Sequence, residues 1–154
     1  MADTNNSTST IDLQQVYKEV EEGINLAGVD ATLCRTENDL GQWNLKTGET
    51  EIWIDIYSSD EEHDYFQVMS PLVYIPNENR ENFYRELLDL NYQMIGIHFV
   101  TYKEGVYLKF MKDAAHTQSS EVFAILSRFG KFGPAFLHGF VEKFNTKPLQ
   151  HHDK

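Results

Sequence analysis

The stretch that decides the fold is Glu51-Ile52-Trp53-Ile54-Asp55-Ile56-Tyr57. Apolar isoleucines occupy every second position, and successive side chains of a strand point to opposite faces. Ile52, Ile54 and Ile56 therefore share one face, while Glu51, Trp53, Asp55 and Tyr57 share the other. An isoleucine face needs a layer packed against it, and helices elsewhere in the chain are the material for that layer.

Upstream, Ala31 to Glu37 and Gln42 to Lys46 read as short strands separated by the turn-like Asn38-Asp39-Leu40-Gly41. Thr47-Gly48 then turns the chain into the isoleucine strand. Earlier still, Leu13, Val16, Tyr17, Val20, Ile24 and Ala27 recur at helical spacing, with Gly28 as the stop and Thr8 to Thr10 as candidate caps. Downstream, the acidic loop Asp60-Glu61-Glu62 leads into an apolar strand over Tyr65 to Ile75. Pro71 lacks a ladder donor, so that strand must lie at an edge or carry a bulge there. Asn77 is the expected cap of a helix from Glu78 to Tyr92, with Phe83, Leu87, Leu90 and Met94 inside. Ile97 to Tyr102 and Val106 to Met111 flank a hairpin turn at Lys103-Glu104-Gly105. Ser119 or Ser120 should cap a last helix, which Gly130, Gly133 and Pro134 should kink or split. The order α-β-β-β-α-β-β-α, with strands and helices segregated, specifies an α+β domain with an antiparallel sheet.

At 154 residues, without repeats or Pro/Gly-rich linkers, the chain reads as a single domain over 11–145. Residues 1–10 are expected to form a disordered N-terminal tail, and 146–154 a flexible C-terminal tail. Hydrophobic residues make up 41% of the chain, enough to build a core without staples, because a domain of this size buries roughly 70% of its unfolded surface. A net charge of −11 disfavours nucleic acid and anionic membranes as partners and favours basic ones. The opening residues lack a basic and an apolar segment, and no apolar run approaches the roughly 20 residues that span a bilayer. A cytoplasmic location is the expectation.

The residues Phe83-Tyr84-Arg85-Glu86-Leu87-Leu88-Asp89-Leu90-Asn91, then Ile97-His98-Phe99, the Lys103-Glu104-Gly105 turn and Val106-Tyr107-Leu108, resemble the bacterial YbjN-type family. The likeness extends over 11–145 in element order and over 76–112 residue by residue. It implies the fold of the class I type III secretion chaperones, with helices mainly on one face of the sheet. Those chaperones are acidic and usually dimeric, and they hold an extended segment of a client protein. Pro134 and the glycines before it depart from the unbroken final helix of that pattern.

Candidates for chemistry are few. His63, His98, His116, His138, His151 and His152 form no HExxH and no ligand-like spacing with carboxylates. Cys34 is the only cysteine, with no histidine near it in sequence, and reads as a small buried hydrophobe. Asp60-Glu61-Glu62 with Asp64 lacks the ligand alternation and central glycine of a calcium loop. Gly130-Lys131-Phe132-Gly133 lacks the ending of a phosphate loop. No catalytic residue, metal site or cofactor is expected.

Two features are candidate partner-binding surfaces. One is the outer face of the isoleucine strand, where Trp53 and Tyr57 alternate with Glu51 and Asp55; such aromatics either dock a partner or stiffen the sheet by pairing. The other is the series Phe129, Phe132, Phe136, Phe140 and Phe144, which is either core or an interface, with Phe136 and Phe140 as its candidate contacts. The function expected is a non-catalytic protein-binding module, chaperone-like, holding a polypeptide client, with a homodimer as a further expectation. The alternative is a small regulatory or stress-response protein acting on a signalling partner; an enzyme is the third reading.

Overall fold

A computed structural model describes residues 11–36, 41–59 and 63–150. Helix α1 spans Leu13–Leu26. Strands β1 (Gln42–Thr47), β2 (Thr50–Ser58) and β3 (Asp64–Tyr74) follow, then helix α2 (Arg80–Gln93), strands β4 (His98–Tyr102) and β5 (Gly105–Asp113), and helix α3 (Ser119–Phe144). All pairs are antiparallel, and the strands lie in the order β1-β2-β3-β5-β4. No helix of the described residues is long and apolar enough to cross a membrane.

Local chemistry explains where the elements begin. Asp12 caps α1, accepting from the backbone N–H groups of Gln14 and Gln15; the candidate caps Thr8 to Thr10 lie outside the described residues. The strand expected over Ala31 to Glu37 is instead a 3-10 turn at Ala31–Leu33. Asp30 accepts from both the N–H and the hydroxyl of Thr32, and Asn25 accepts from the N–H of Ala31. These short polar side chains offer the backbone a closed alternative to a ladder. Arg35 forms an isolated antiparallel bridge with Trp43 of β1. The residue at the N-cap position of α2 is Asn79 and not Asn77; its side chain makes no capping bond, and it adopts a left-handed φ of 57°, which asparagine tolerates better than most residues.

Helix α3 also departs from expectation in two ways. Its first residue is Ser119, preceded by Gln118 as cap, and the Ser119 N–H donates to the Glu19 carboxylate of α1 at 2.7 Å. One helix thus supplies the anionic cap of another. The helix then continues through Gly130, Gly133 and Pro134 without a split. The glycines serve packing: a Cβ at Gly130 would lie 2.9 Å from Thr47 Oγ1, and one at Gly133 would lie 3.1 Å from Thr50 Cγ2. They let α3 descend onto the β1–β2 hairpin. Pro134 gives up its bond to residue 130, and the surrounding packing holds the helix together.

The core lies between the helices and one face of the sheet. Ile52, Ile54 and Ile56 are buried with Phe66, Val68, Val106 and Leu108 beneath α1 and α3, as the alternation requires. Pro71 sits in central β3, where the register shifts between Pro71 and Val73. The C-terminal boundary expected at 145 falls short, because residues 146–149 are tied to β3. Tyr74 N–H donates to the Lys147 carbonyl, Leu149 N–H to the Leu72 carbonyl, and Val73 bridges Pro148. This segment covers the edge of β3 that extends past β2.

Candidate functional site

Both outer edges of the sheet are occupied. Along β1, Asn44 N–H donates to the Cys34 carbonyl and Thr36 N–H to the Gln42 carbonyl. Along β4, the Asn91 side chain accepts from Phe99 N–H at 2.7 Å and donates to its carbonyl at 3.1 Å, as a neighbouring strand would. Strand addition at these positions is blocked. The face left to consider is the one away from the helices.

On that face the register sets rows of side chains across the strands. Asn44, Trp53, Met69, Lys109 and His98 form one row, and Gln42, Asp55, Gln67 and Met111 the next. Trp53 is half-buried; its indole N–H donates to Glu51 at 2.8 Å, and its ring lies 5.9 Å from that of Tyr107. Tyr57 is exposed, stands 5.9 Å from Tyr65 and donates its hydroxyl across β3 to the Met111 sulfur of β5 at 3.2 Å. A concavity of about 320 Å³ opens between Trp53, Asp55, Met69, Tyr102 and Tyr107. Burial, then the adjacent Tyr102, raises the Tyr107 phenol above its ordinary value.

The four β2 candidates therefore share one face: Glu51, Trp53 and Asp55 half-buried, Tyr57 exposed. Phe136 and Phe140 lie on the other side of the sheet. Phe140 is 3% exposed and packs edge-on against Phe83 and Phe99, while half-buried Phe136 meets Phe99 at 4.8 Å. The two candidate surfaces are not brought together. Sequence reasoning missed Tyr107, Tyr102 and Met69 as neighbours of Trp53. The alternation Val106-Tyr107-Leu108 put Tyr107 on the outer face, but its meeting with Trp53 depends on the β3–β5 register.

The chemistry candidates stand apart from one another. His98 is exposed on β4. Cys34 is buried, its thiol donates to the Asp30 carbonyl, and burial followed by the Asp30 charge pushes its pKa up, away from a reactive thiolate. Among the described residues, no group of three or more His, Cys, Asp or Glu could hold a metal ion. The acidic run Asp60-Glu61-Glu62 and the pair His151 and His152 lie outside the described residues.

No family model and no curated protein matches the chain. Solved structures do. A chain of the ExsC–ExsE complex superposes with a TM-score of 0.63 at 15% identity, covering 84% of this chain and 96% of that one. A chain of the HopA1–SchA chaperone–effector complex superposes at 0.53 and 11% identity, covering 86% and 99%. The arrangement is thus the α+β fold expected from the resemblance: type III secretion chaperone-like, with an antiparallel sheet and its helices on one face.

Proposed function

We propose that this protein is a non-catalytic, chaperone-like module that holds an extended segment of a polypeptide partner against the open face of its sheet. The observation that carries the reading is Trp53, a half-buried indole on the face away from every helix, at the rim of an aromatic concavity. Tryptophan and tyrosine supply large contact area at low entropic cost, which is why they dominate binding hot spots. Two observations lend support. Similar folds occur in the ExsC–ExsE and HopA1–SchA complexes, the latter a chaperone with its effector. The occupied positions along both sheet edges direct a partner to the face. In this reading Glu51, Asp55 and Tyr57 rim the contact, and Phe136 and Phe140 hold the helix layer that keeps the sheet in shape. A kinship with the YbjN-type proteins, for which the resemblance over 76–112 speaks, is part of the same reading.

A homodimer belongs to the same proposal. Tyr84, Leu88, Tyr92 and Ile95 are 37%, 67%, 92% and 81% exposed along the outside of α2 and its end, an apolar stripe left open by the described residues. Sedimentation of the wild type as a dimer, and of Leu88→Lys with Tyr92→Lys as a folded monomer, is the expected result; a wild-type monomer at high concentration removes this part.

The main reading is tested on an array of short, unstructured peptides. Trp53→Ala should lower retention by on the order of tenfold or more and leave the melting temperature nearly unchanged. Unchanged retention with a large drop in melting temperature would make Trp53 a structural residue and end the proposal.

A further inference from the structure

The β2–β3 ladder ends at the pair Trp53 and Met69, yet β3 runs on to Tyr74. On that side residues 146–149 take up the pairing that β2 leaves. Tyr74 N–H donates to the Lys147 carbonyl, Leu149 N–H to the Leu72 carbonyl and the Thr146 hydroxyl to the Tyr74 carbonyl, and Val73 bridges Pro148 antiparallel. The segment behaves as a short added strand, tethered to the end of α3 through Asn145, whose φ of 52° is left-handed.

The segment is held mainly through its backbone, and its side chains fit loosely. Lys147 and Pro148 are exposed. A cavity of about 200 Å³ remains, lined by Pro148 and Leu149 of the segment and by Thr50, Leu72, Pro134 and Leu137. Thr50 is 6% exposed, and its hydroxyl has no partner among the described residues. Main-chain bonds accept any extended sequence, whereas an unfilled cavity and an unmet buried hydroxyl both cost stability. Leu149 also reaches the open face. Its Cδ1 lies 2.7 Å from where a Cβ at Gly105 would stand, and it lines one hollow with Tyr102 and with Tyr107, the ring beside Trp53.

Resting on the polypeptide-binding reading above, we propose that residues 146–149 hold the place of the partner. An extended polypeptide segment displaces them from β3, pairs through its own backbone with Leu72 and Tyr74, and continues over Tyr107 to Trp53. One strand is exchanged for another, so the buried Leu72 and Val73 and the ladder groups of β3 are not left bare. A tethered segment competes at an effective concentration on the order of millimolar. A partner that pairs with β3 alone therefore loses to it, and one that also engages Trp53 wins.

The test compares the wild type with two full-length variants. Leu149→Pro removes a ladder donor and the Leu149 side chain, and Thr146→Val removes one hydroxyl bond. The probe is the acetylated, amidated peptide of residues 145–150, and the readout is hydrogen exchange at the Tyr74 amide. Leu149→Pro should speed that exchange by on the order of tenfold or more and leave exchange at Ile54 unchanged. Added peptide should slow it again, at a midpoint on the order of tenfold below that of any response in the wild type. On the array of short peptides, Leu149→Pro should raise retention on the order of fivefold, and Thr146→Val by less. Retention that falls in both variants, or stays level while exchange at Tyr74 speeds, overturns the proposal, since the segment is then only part of the fold. Where Leu149→Pro costs Ile54 its protection, Thr146→Val decides alone, by the sign of its change in retention. Retention through Trp53 that neither variant raises sinks the placeholder and spares the polypeptide-binding reading. No retention by any of the three proteins removes both.

Discussion

Trp43 and Trp53 stand on neighbouring strands of one hairpin and mark the two faces of one sheet. Trp43 points toward the helices and has no exposure; Tyr17 meets it edge-on at 5.7 Å, and Glu21 accepts from its indole N–H at 3.2 Å. Trp53, opposite Asn44 in the same ladder, points the other way, hydrogen-bonds within its own strand and stays half-buried. Both are tryptophans, and both have strand backbone. What separates them is the parity of the position relative to the helix layer, which assigns one indole to stability and makes the other available for contact.

The largest effect that sharpens this comparison is Trp43→Ala. Truncating a fully buried aromatic side chain costs about 3–5 kcal/mol, enough to remove much of the stability of a domain of this size. Denaturant titration checks it; a loss under about 1 kcal/mol would mean that the covered face is not the core. Next is Gly23→Ala. A Cβ at Gly23 would lie 2.5 Å from Val122 Cβ and 2.9 Å from the Ser119 carbonyl, so α1 and α3 must separate. The expected cost is about 1–3 kcal/mol. Asn44→Ala, exposed on the open face, should stay within about 0.5 kcal/mol. If the two substitutions cost the same, the two faces do not differ in packing.

These contrasts also show what the sequence could disclose. The isoleucine alternation fixed the covered face, because period-2 burial is a local property that neighbouring residues report on their own. The helix cores of α1 and α2 were legible for the same reason. The course of α3 was not: Pro134 carries a local penalty, while the compensating close approach of Gly130 and Gly133 to Thr47 and Thr50 involves residues some eighty positions away. The turn after α1 was misread because the hydrogen bonds of Asp30 and Asn25 compete with extended backbone at a cost that propensity does not register. At the candidate site, Trp53 and Asp55 could be placed on one face from β2 alone. Tyr107 and Tyr102 arrive from β5 and β4 through non-local pairing, which no local pattern encodes.

Trp53→Ala falls between Gly23→Ala and Asn44→Ala in size. Its ring contact with Tyr107 and its partial burial limit the expected loss to about 1 kcal/mol, several times less than at Trp43, although the same atoms are removed. Thermal unfolding of the two alanine variants side by side is the direct measurement. Losses of equal size would place Trp53 in the core and dissolve the distinction between the faces.

The smallest effect concerns one titratable group on each side. Cys34 belongs to the covered core, and burial, then Asp30, holds its thiol above its ordinary value of 9.0. In the unfolded chain the thiol ionises at the ordinary value, while the folded protein keeps the proton. Its contribution is therefore intact below that pH and falls as the pH climbs toward the raised folded value. Tyr107, on the open face, is raised above 10.0 by burial and then by Tyr102, so its loss has the same sign and begins later. Cys34→Ala should remove the earlier part of the alkaline decline in unfolding free energy, and Tyr107→Phe the later part. Alkylation of Cys34 at neutral pH should be slow until denaturant is added, because a buried, protonated thiol is a poor nucleophile. Rapid alkylation of the native protein, with an alkaline decline that ignores Cys34→Ala, would show that the helix layer leaves this thiol open to solvent.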